Sequence, residues 1–352
     1  MTEKAEIQYT GSTGKNIIIF SVLLVIASVL FLLDIFMGSV TLKMMDVFRA
    51  LFTFSEPEIE MIVLKFRLPK AITATVVGIA LSISGLQMQT LFRNPMAGPY
   101  VLGISSGASL GVAFIILGFS ADISPENLRG MGNWSVIAAA WAGAGAVMVL
   151  MLWLSTKLKD ILTVLIIGIM LAGGISAIVT IMQYFSHETM LKAYIIWTMG
   201  SLGNLTASQL NVMLLSVAAG IVISLLSVKR LNALLLGENY ASTIGLNVGL
   251  SRFLILTGTS ILAGSITAFC GPVGFIGIAV PHITRLIFKS ADHRILIPGI
   301  FLTGSSIMLL SDIVSQLPGS DNVLPVNSVT AMVGIPVVIW VVLRNRKYQG
   351  VF

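Results

Sequence analysis

Nine stretches of 17 or more residues in this chain contain no charged residue: 16–33, 71–92, 94–121, 130–156, 161–187, 193–228, 253–284, 295–311 and 322–343. A helix needs roughly 20 residues to cross the hydrocarbon core of a bilayer. Lipid tolerates only segments whose backbone polar groups are satisfied internally, so long apolar runs specify helices. Composition agrees, because 56% of the 352 residues are hydrophobic and only 10% are charged, against about 25% charged in a soluble domain. The chain is therefore expected to be an all-α polytopic membrane protein, with one transmembrane domain over 1–352. The run 16–33 is long for a signal-peptide core and no small-x-small cleavage site follows it, so it reads as a retained span. The sole cysteine, Cys270, excludes an intrachain disulfide and a Cys-based metal cluster. The net charge of +6 does not indicate nucleic acid, since the cations sit at the ends of apolar runs and form no stripe with aromatics.

Two runs exceed one span. The 32 residues of 253–284 are interrupted by Gly271-Pro272-Val273-Gly274, which breaks a helix; splitting there gives ten spans. The first part of the run 193–228 carries Gly200-Ser201-Leu202-Gly203-Asn204 and Ser208-Gln209, so it reads as a helix and turn outside the membrane, with 210–228 as the span. Lys4 and Lys15 precede the first span, and Arg344, Arg346 and Lys347 follow the last. With both termini cytoplasmic the number of spans is even, and ten spans place fourteen of the 21 cations inside. Ten divide into halves of five, about 16–190 and 208–345. An odd number per half inverts the second half relative to the first. Gly98-Pro99 and Gly271-Pro272 open a glycine-rich segment in each half.

Between two spans lies LNALLLGENYASTIGLN, residues 231–247, preceded by Lys229 and Arg230. Leu231, Leu234 and Leu235 fall on one helical face. Gly237 stops that helix and Gly245 stops a second over 238–244. Two short helices are more than a connector needs. The segment 229–249 reads as a docking surface for a soluble partner, with a solvated linker as the alternative.

Elsewhere, Gly103, Gly107 and Gly111 place three small residues on one helix face for close packing. Arg93-Asn94-Pro95 begins a broken turn that is either plain or the cytoplasmic mouth of a pathway. Lys65, Arg67 and Lys70 cluster at the outer end of the second span, against the usual charge bias. They either snorkel or present a cationic patch to an acidic partner. His282 follows Pro281 and suits a bond to a freed carbonyl better than a metal. Met88, Gln89 and Met182 are candidate pathway residues. No carboxylate lies mid-span, Asp34 and Asp312 being at outer ends, which argues against a proton-coupled carrier. No P-loop, Ser-His-acid set or paired carboxylate occurs, so the chain is not expected to be an enzyme and any uphill transport draws energy from another subunit.

The block RLPKAITATVVGIALSISGLQMQTLFRNPMAGPYVLGISSGASLG resembles the signature region of the FecCD family, permease subunits of ABC importers for iron–siderophore, haem and cobalamin. LNALLLGENYASTIGLN, GPVGFIGIAVPHITRLIFKSADHR and LPVNSVTAMVGIPVVIWVV resemble further family blocks, in family order from Arg67 onward. The resemblance implies a type II importer permease in the cytoplasmic (inner) membrane. Its partners would be a second copy of the permease, two cytoplasmic ATP-binding subunits and an extracytoplasmic substrate-binding protein, with no cofactor. It implies ATPase docking at Leu231, Leu235, Gly237, Glu238, Ala241 and Gly245, and binding-protein docking at Arg67 and Lys70. Iron–siderophore is the expected cargo, with haem and cobalamin as alternatives; the rival class is a self-sufficient secondary transporter. Two positions depart from the family pattern. Gln316 stands where a basic residue is usual after the position of Asp312, and Asn327 stands where glycine is usual.

Overall fold

The computed structural model describes residues 13–38, 40, 42–52, 56–118, 125–158, 160–316 and 323–345, and among these the regular structure is helical throughout. The chain starts with α1 (Thr13–Phe36), α2 (Met44–Phe52) and α3 (Pro57–Glu60), and a π-helical stretch, Met61–Arg67, runs directly into α4 (Leu68–Leu91). A 3-10 turn, Pro99–Leu102, leads to α5 (Ile104–Ile116), α6 (Pro125–Lys157), α7 (Ile161–Tyr184), α8 (Glu188–Thr198) and α9 (Ala207–Leu226). Then come α10 (Val228–Leu234), α11 (Glu238–Thr243), α12 (Val248–Cys270), α13 (Ile276–Phe288), α14 (His293–Ser315) and α15 (Val326–Asn345). The tail positions used above for parity, among them Lys4, Arg346 and Lys347, lie outside the described residues.

Seven helices are long and apolar enough to cross a membrane, and three shorter apolar ones, Ile104–Ile116, Ile276–Phe288 and Val326–Trp340, occupy the other expected positions. The run 94–121 is thus not one long helix, because Pro95, Gly98 and Pro99 keep the chain irregular up to Gly103. The long run 253–284 does break where its glycines and proline stand. Gly271 ends α12 with φ +75, and Phe275 starts α13 with φ +65. The Ile276 amide donates to the Gly274 carbonyl at 2.8 Å, closing a tight turn about Phe275. A non-glycine residue held in such a conformation costs roughly 1–3 kcal/mol. Two neighbours hold it: Asn327 accepts from the Gly274 amide at 2.9 Å, and Gly334 leaves room for the Phe275 side chain. Asn327, where glycine is usual, therefore pins the break between α12 and α13 to the start of α15.

The centre of the bundle is α4 and α12, whose apolar windows are each 78% buried, against 6% for α1. Each packs across the chain, α4 on α14 and α12 on α6. Glycines set the distances. A Cβ on Gly78 would lie 2.2 Å from the Gly304 carbonyl oxygen, and one on Gly85 would lie 1.7 Å from that of Gly277. Gly107 and Gly111 likewise meet the backbone of Gly143 and Ala139 on α6. Gly103 differs in that it precedes α5 as a left-handed residue (φ +79), where a Cβ would stand 3.4 Å from the Gly168 carbonyl oxygen of α7 and 3.6 Å from Val147 of α6.

Candidate functional site

Helices α10 and α11 project from one end of the bundle and are held there by two polar anchors. Apolar Leu231 and Leu234 turn inward and are buried, and Leu235 is half-buried. Gly237 adopts φ +100, with the Arg93 guanidinium packed 3.3 Å from where a Cβ would stand. After α11, Gly245 adopts φ +86. The amides of Gly245 and Leu246 then close on the carbonyls of Ser242 and Ala241, both at 3.0 Å, a glycine-dependent helix stop.

The first anchor is a fork. Arg252, in the first turns of α12, donates to Glu238 through Nε at 2.8 Å and Nη2 at 2.5 Å. Its Nη1 reaches the Leu158 carbonyl at the end of α6 at 3.1 Å. The second anchor centres on Asn232 of α10. Its amide donates to Asp292 at 2.6 Å, and its oxygen accepts from the His293 amide at 2.9 Å and from His293 Nδ1 at 2.7 Å. His293 Nε2 in turn lies 2.9 Å from the Thr90 hydroxyl on α4. Neither anchor is visible in the sequence, where no local spacing pairs Arg252 with Glu238 or Asn232 with Asp292.

These contacts redistribute the expected docking residues. Leu231 and Ala241 are fully buried and Gly237 is buried, so none of the three presents a side chain to a partner; this corrects the expected contact set. Glu238 is committed to Arg252 within the chain. What the projection exposes is a row four residues apart: Leu236 at 62%, Tyr240 at 52% and Ile244 at 57% exposure. Tyr240 lies within α11, Leu236 precedes the Gly237 break and Ile244 caps the C-terminus of α11, so the exposed residues line the connection on both sides of that break. Gly245 is exposed beside them.

Beside the projection, Arg93 is exposed with φ +48, and the Asn94 side chain accepts from the Met96 amide at 2.9 Å. The Pro95 carbonyl bonds His282 Nε2 at 2.8 Å. His282 therefore does meet a freed carbonyl, but from the turn after α4 rather than from near Pro281. Among the described residues no group of three or more His, Cys, Asp or Glu side chains is placed to hold a metal. Met88 is fully buried and lines no pathway in this chain, which corrects that expectation. Gln89 is also buried, accepting from Arg285 at 2.7 Å and donating to the Ile278 carbonyl at 3.2 Å. Met182 packs against the core from a partly buried position.

At the opposite end the expected cationic patch is corrected. Arg67 is buried, and its guanidinium donates to the carbonyls of Ile35 at 3.0 Å and Phe36 at 2.8 Å, and to that of Val40. It caps the end of α1, whose last carbonyls have no partner within the helix. Lys70 pairs with Asp312 at 3.2 Å. Gln316 is buried too, its amide donating to Asp34 at 3.0 Å and to Asp312 at 3.2 Å. A cavity of about 510 Å³ opens beside Arg67, Lys70, Asp312 and Gln316. Lys65 is the cation of the original three that stands exposed.

Seven helices long and apolar enough to cross a membrane, with three shorter apolar ones beside them, define a multi-pass helical membrane protein. The FecCD transport family model matches residues 23–344, and the chain belongs to that family. It is 35% identical over 289 residues to the hemin transport system permease protein HmuU of Yersinia pestis, covering 82% of this chain and 84% of that one. It is 36% identical over 292 residues to the vitamin B12 import system permease protein BtuC of Escherichia coli O9:H4 (strain HS), covering 83% and 86%. A solved metal-chelate type ABC transporter in an inward-facing conformation superposes with TM-score 0.80 at 26% identity, covering 93% of this chain and 99% of that one. The chain is thus a permease, a transport subunit and not an enzyme, as the sequence blocks imply.

Proposed function

We propose that this permease carries a large metal chelate inward across the cytoplasmic membrane, driven by ATP hydrolysis in two soluble subunits that seat on α10 and α11. The observation that carries this reading is the exposed set Leu236, Tyr240 and Ile244 in the α10–α11 segment, which is tied to the bundle through Glu238 and Asn232. An apolar row in water is explained by a protein partner, and rigid bracing suits a surface that is pushed. In this reading the α11 end is cytoplasmic, as are both termini. All ten apolar helices then cross the membrane, in inverted halves of about 16–190 and 208–345. Three features support the inversion: α5 and α13 each have 13 residues, each opens on a left-handed residue, and α4 and α12 pack reciprocally on α14 and α6. The exposed apolar side of α7, including Ile166, Ile169, Met170 and Ile181, fits a second permease copy and lipid, with the pathway between copies. A binding protein would meet the opposite end around Lys65 and the cavity beside Lys70.

The cargo is the bulky class that the relatives' names describe, haem or cobalamin, with a ferric siderophore as a further member of that class. Proteoliposomes holding the permease with its ATPase and binding protein decide the matter. Uptake of haemin, cyanocobalamin or a ferric siderophore is expected to require ATP inside the ATPase compartment and to ignore ionophores. Uptake that collapses with the proton gradient and proceeds without ATP would establish the secondary transporter instead.

A further inference from the structure

The face of α11 turned away from the exposed row is tied, through one guanidinium, to a distant helix hairpin. We infer that Arg252 is a positioning residue that passes displacement of α11 to the turn between α6 and α7. This rests on the docking role proposed for α11. Arg252 is only 5% exposed and so makes no contact with a soluble partner itself. Two of its nitrogens grip both oxygens of Glu238, the first residue of α11, and a third grips the Leu158 carbonyl, the end of α6. A guanidinium is planar and its donors are fixed in a fork. Glu238 and the α6 carbonyl thus bind a single rigid plate, and moving one without the other breaks charge-assisted bonds in a largely buried place. Two residues past Leu158, Asp160 caps α7 by accepting from the amides of Leu162 and Thr163, both at 3.1 Å. Its carboxylate also feels the Arg252 charge. The fork therefore reaches from the docking helix to the root of α7, the helix with the broad exposed apolar side. The Asn232 anchor leads elsewhere, to α14 and α4, so the two anchors divide the bundle between them.

A plain stabilising ion pair and a transmitting fork differ in one respect: an ion pair is satisfied by the reversed pair, and the Leu158 carbonyl is not. Glu238→Arg with Arg252→Glu restores a charge pair, but glutamate on α12 has no N–H to offer that carbonyl. The test compares Arg252→Gln, Arg252→Lys and the double reversal in proteoliposomes with the ATPase subunits. It reads thermal stability, ATPase association, and substrate transported per ATP hydrolysed. The double reversal is expected to recover most of the thermal stability lost in Arg252→Gln. All three variants are expected to keep the ATPase bound while transport per ATP falls about tenfold, within the ordinary range of coupling between sites. Transport restored together with stability in the double reversal overturns the inference, as does unchanged transport per ATP in Arg252→Gln. Loss of ATPase binding in Arg252→Lys also overturns it, by making Arg252 part of the docking surface.

A second measurement needs no partner. In the permease alone, Glu238→Gln is expected to speed amide exchange at Leu162 and Thr163 as well as in α11, and exchange confined to α11 contradicts the link. A wild-type permease that binds no ATPase counts against the docking role of α11, whereas the exchange result speaks to the fork by itself.

Discussion

At the scale of single residues the fold depends on contacts that leave no room for one methyl group. Gly85 is the sharpest case, since its Cβ would fall 1.7 Å from a backbone oxygen of Gly277 and backbone cannot rotate aside. Gly85→Ala is expected to destabilise by about 1–3 kcal/mol, the usual cost of overpacking, seen as a lowered melting temperature in detergent. Gly145→Ala, with nothing within 4 Å of the added carbon, should leave it unchanged. Lys70 presents the electrostatic counterpart. Lys70→Met leaves Asp312 fully buried without its cation, and orphaning a buried charge costs roughly 3–5 kcal/mol. Lys70→Met with Asp312→Leu should regain most of that loss. Recovery in the double variant, measured by thermal melting, would show that Lys70 serves the bundle before any docking partner.

At the scale of elements, the nine charge-free runs mark the helices well, because membrane burial demands length and apolarity together. The break at 271–275 was legible for the same reason, glycine and proline being unable to continue a helix. The docking surface was only half legible. Its two stops, Gly237 and Gly245, are stated by residue type. Its contact side is not, because Leu231, Leu234 and Leu235 share an apolar face that in a membrane bundle turns toward the bundle itself. The row Leu236, Tyr240 and Ile244 begins before the Gly237 break, so no single helical period joins it. Arg67 and Lys70 were misread because charge bias places a cation at a membrane face without saying whether its own chain already satisfies it. The start of α7 is set by a side-chain cap at Asp160. The Thr163 hydroxyl, with the amides of Leu162 and Thr163, holds the Asp160 carboxylate below the ordinary range. A depressed folded value means that the cap is present above the unfolded carboxylate value and lost as pH falls through the lowered one. Exchange at Leu162 and Thr163 should therefore show no loss of the cap between pH 7 and 5, and should rise at any pH in Asp160→Ala.

For the whole molecule, the proposed function needs three regions to act together: a soluble ATPase seated on α11, the braced bundle, and the opposite end around Lys65 and Lys70 as the place of cargo delivery. Replacing Leu236, Tyr240 and Ile244 together by serine leaves the core untouched, since all three are exposed. The triple variant should insert and melt like wild type yet bind the ATPase about tenfold or more weakly, because truncated apolar anchors carry most of an interface's energy. The most direct measurement of the central claim is photo-crosslinking in native membranes from a benzophenone side chain placed at Tyr240. The account predicts a covalent adduct with the ATPase subunit from position 240 and from positions 236 and 244, and none from the buried position 231. A permease that transports normally while position 240 yields no ATPase adduct would contradict it.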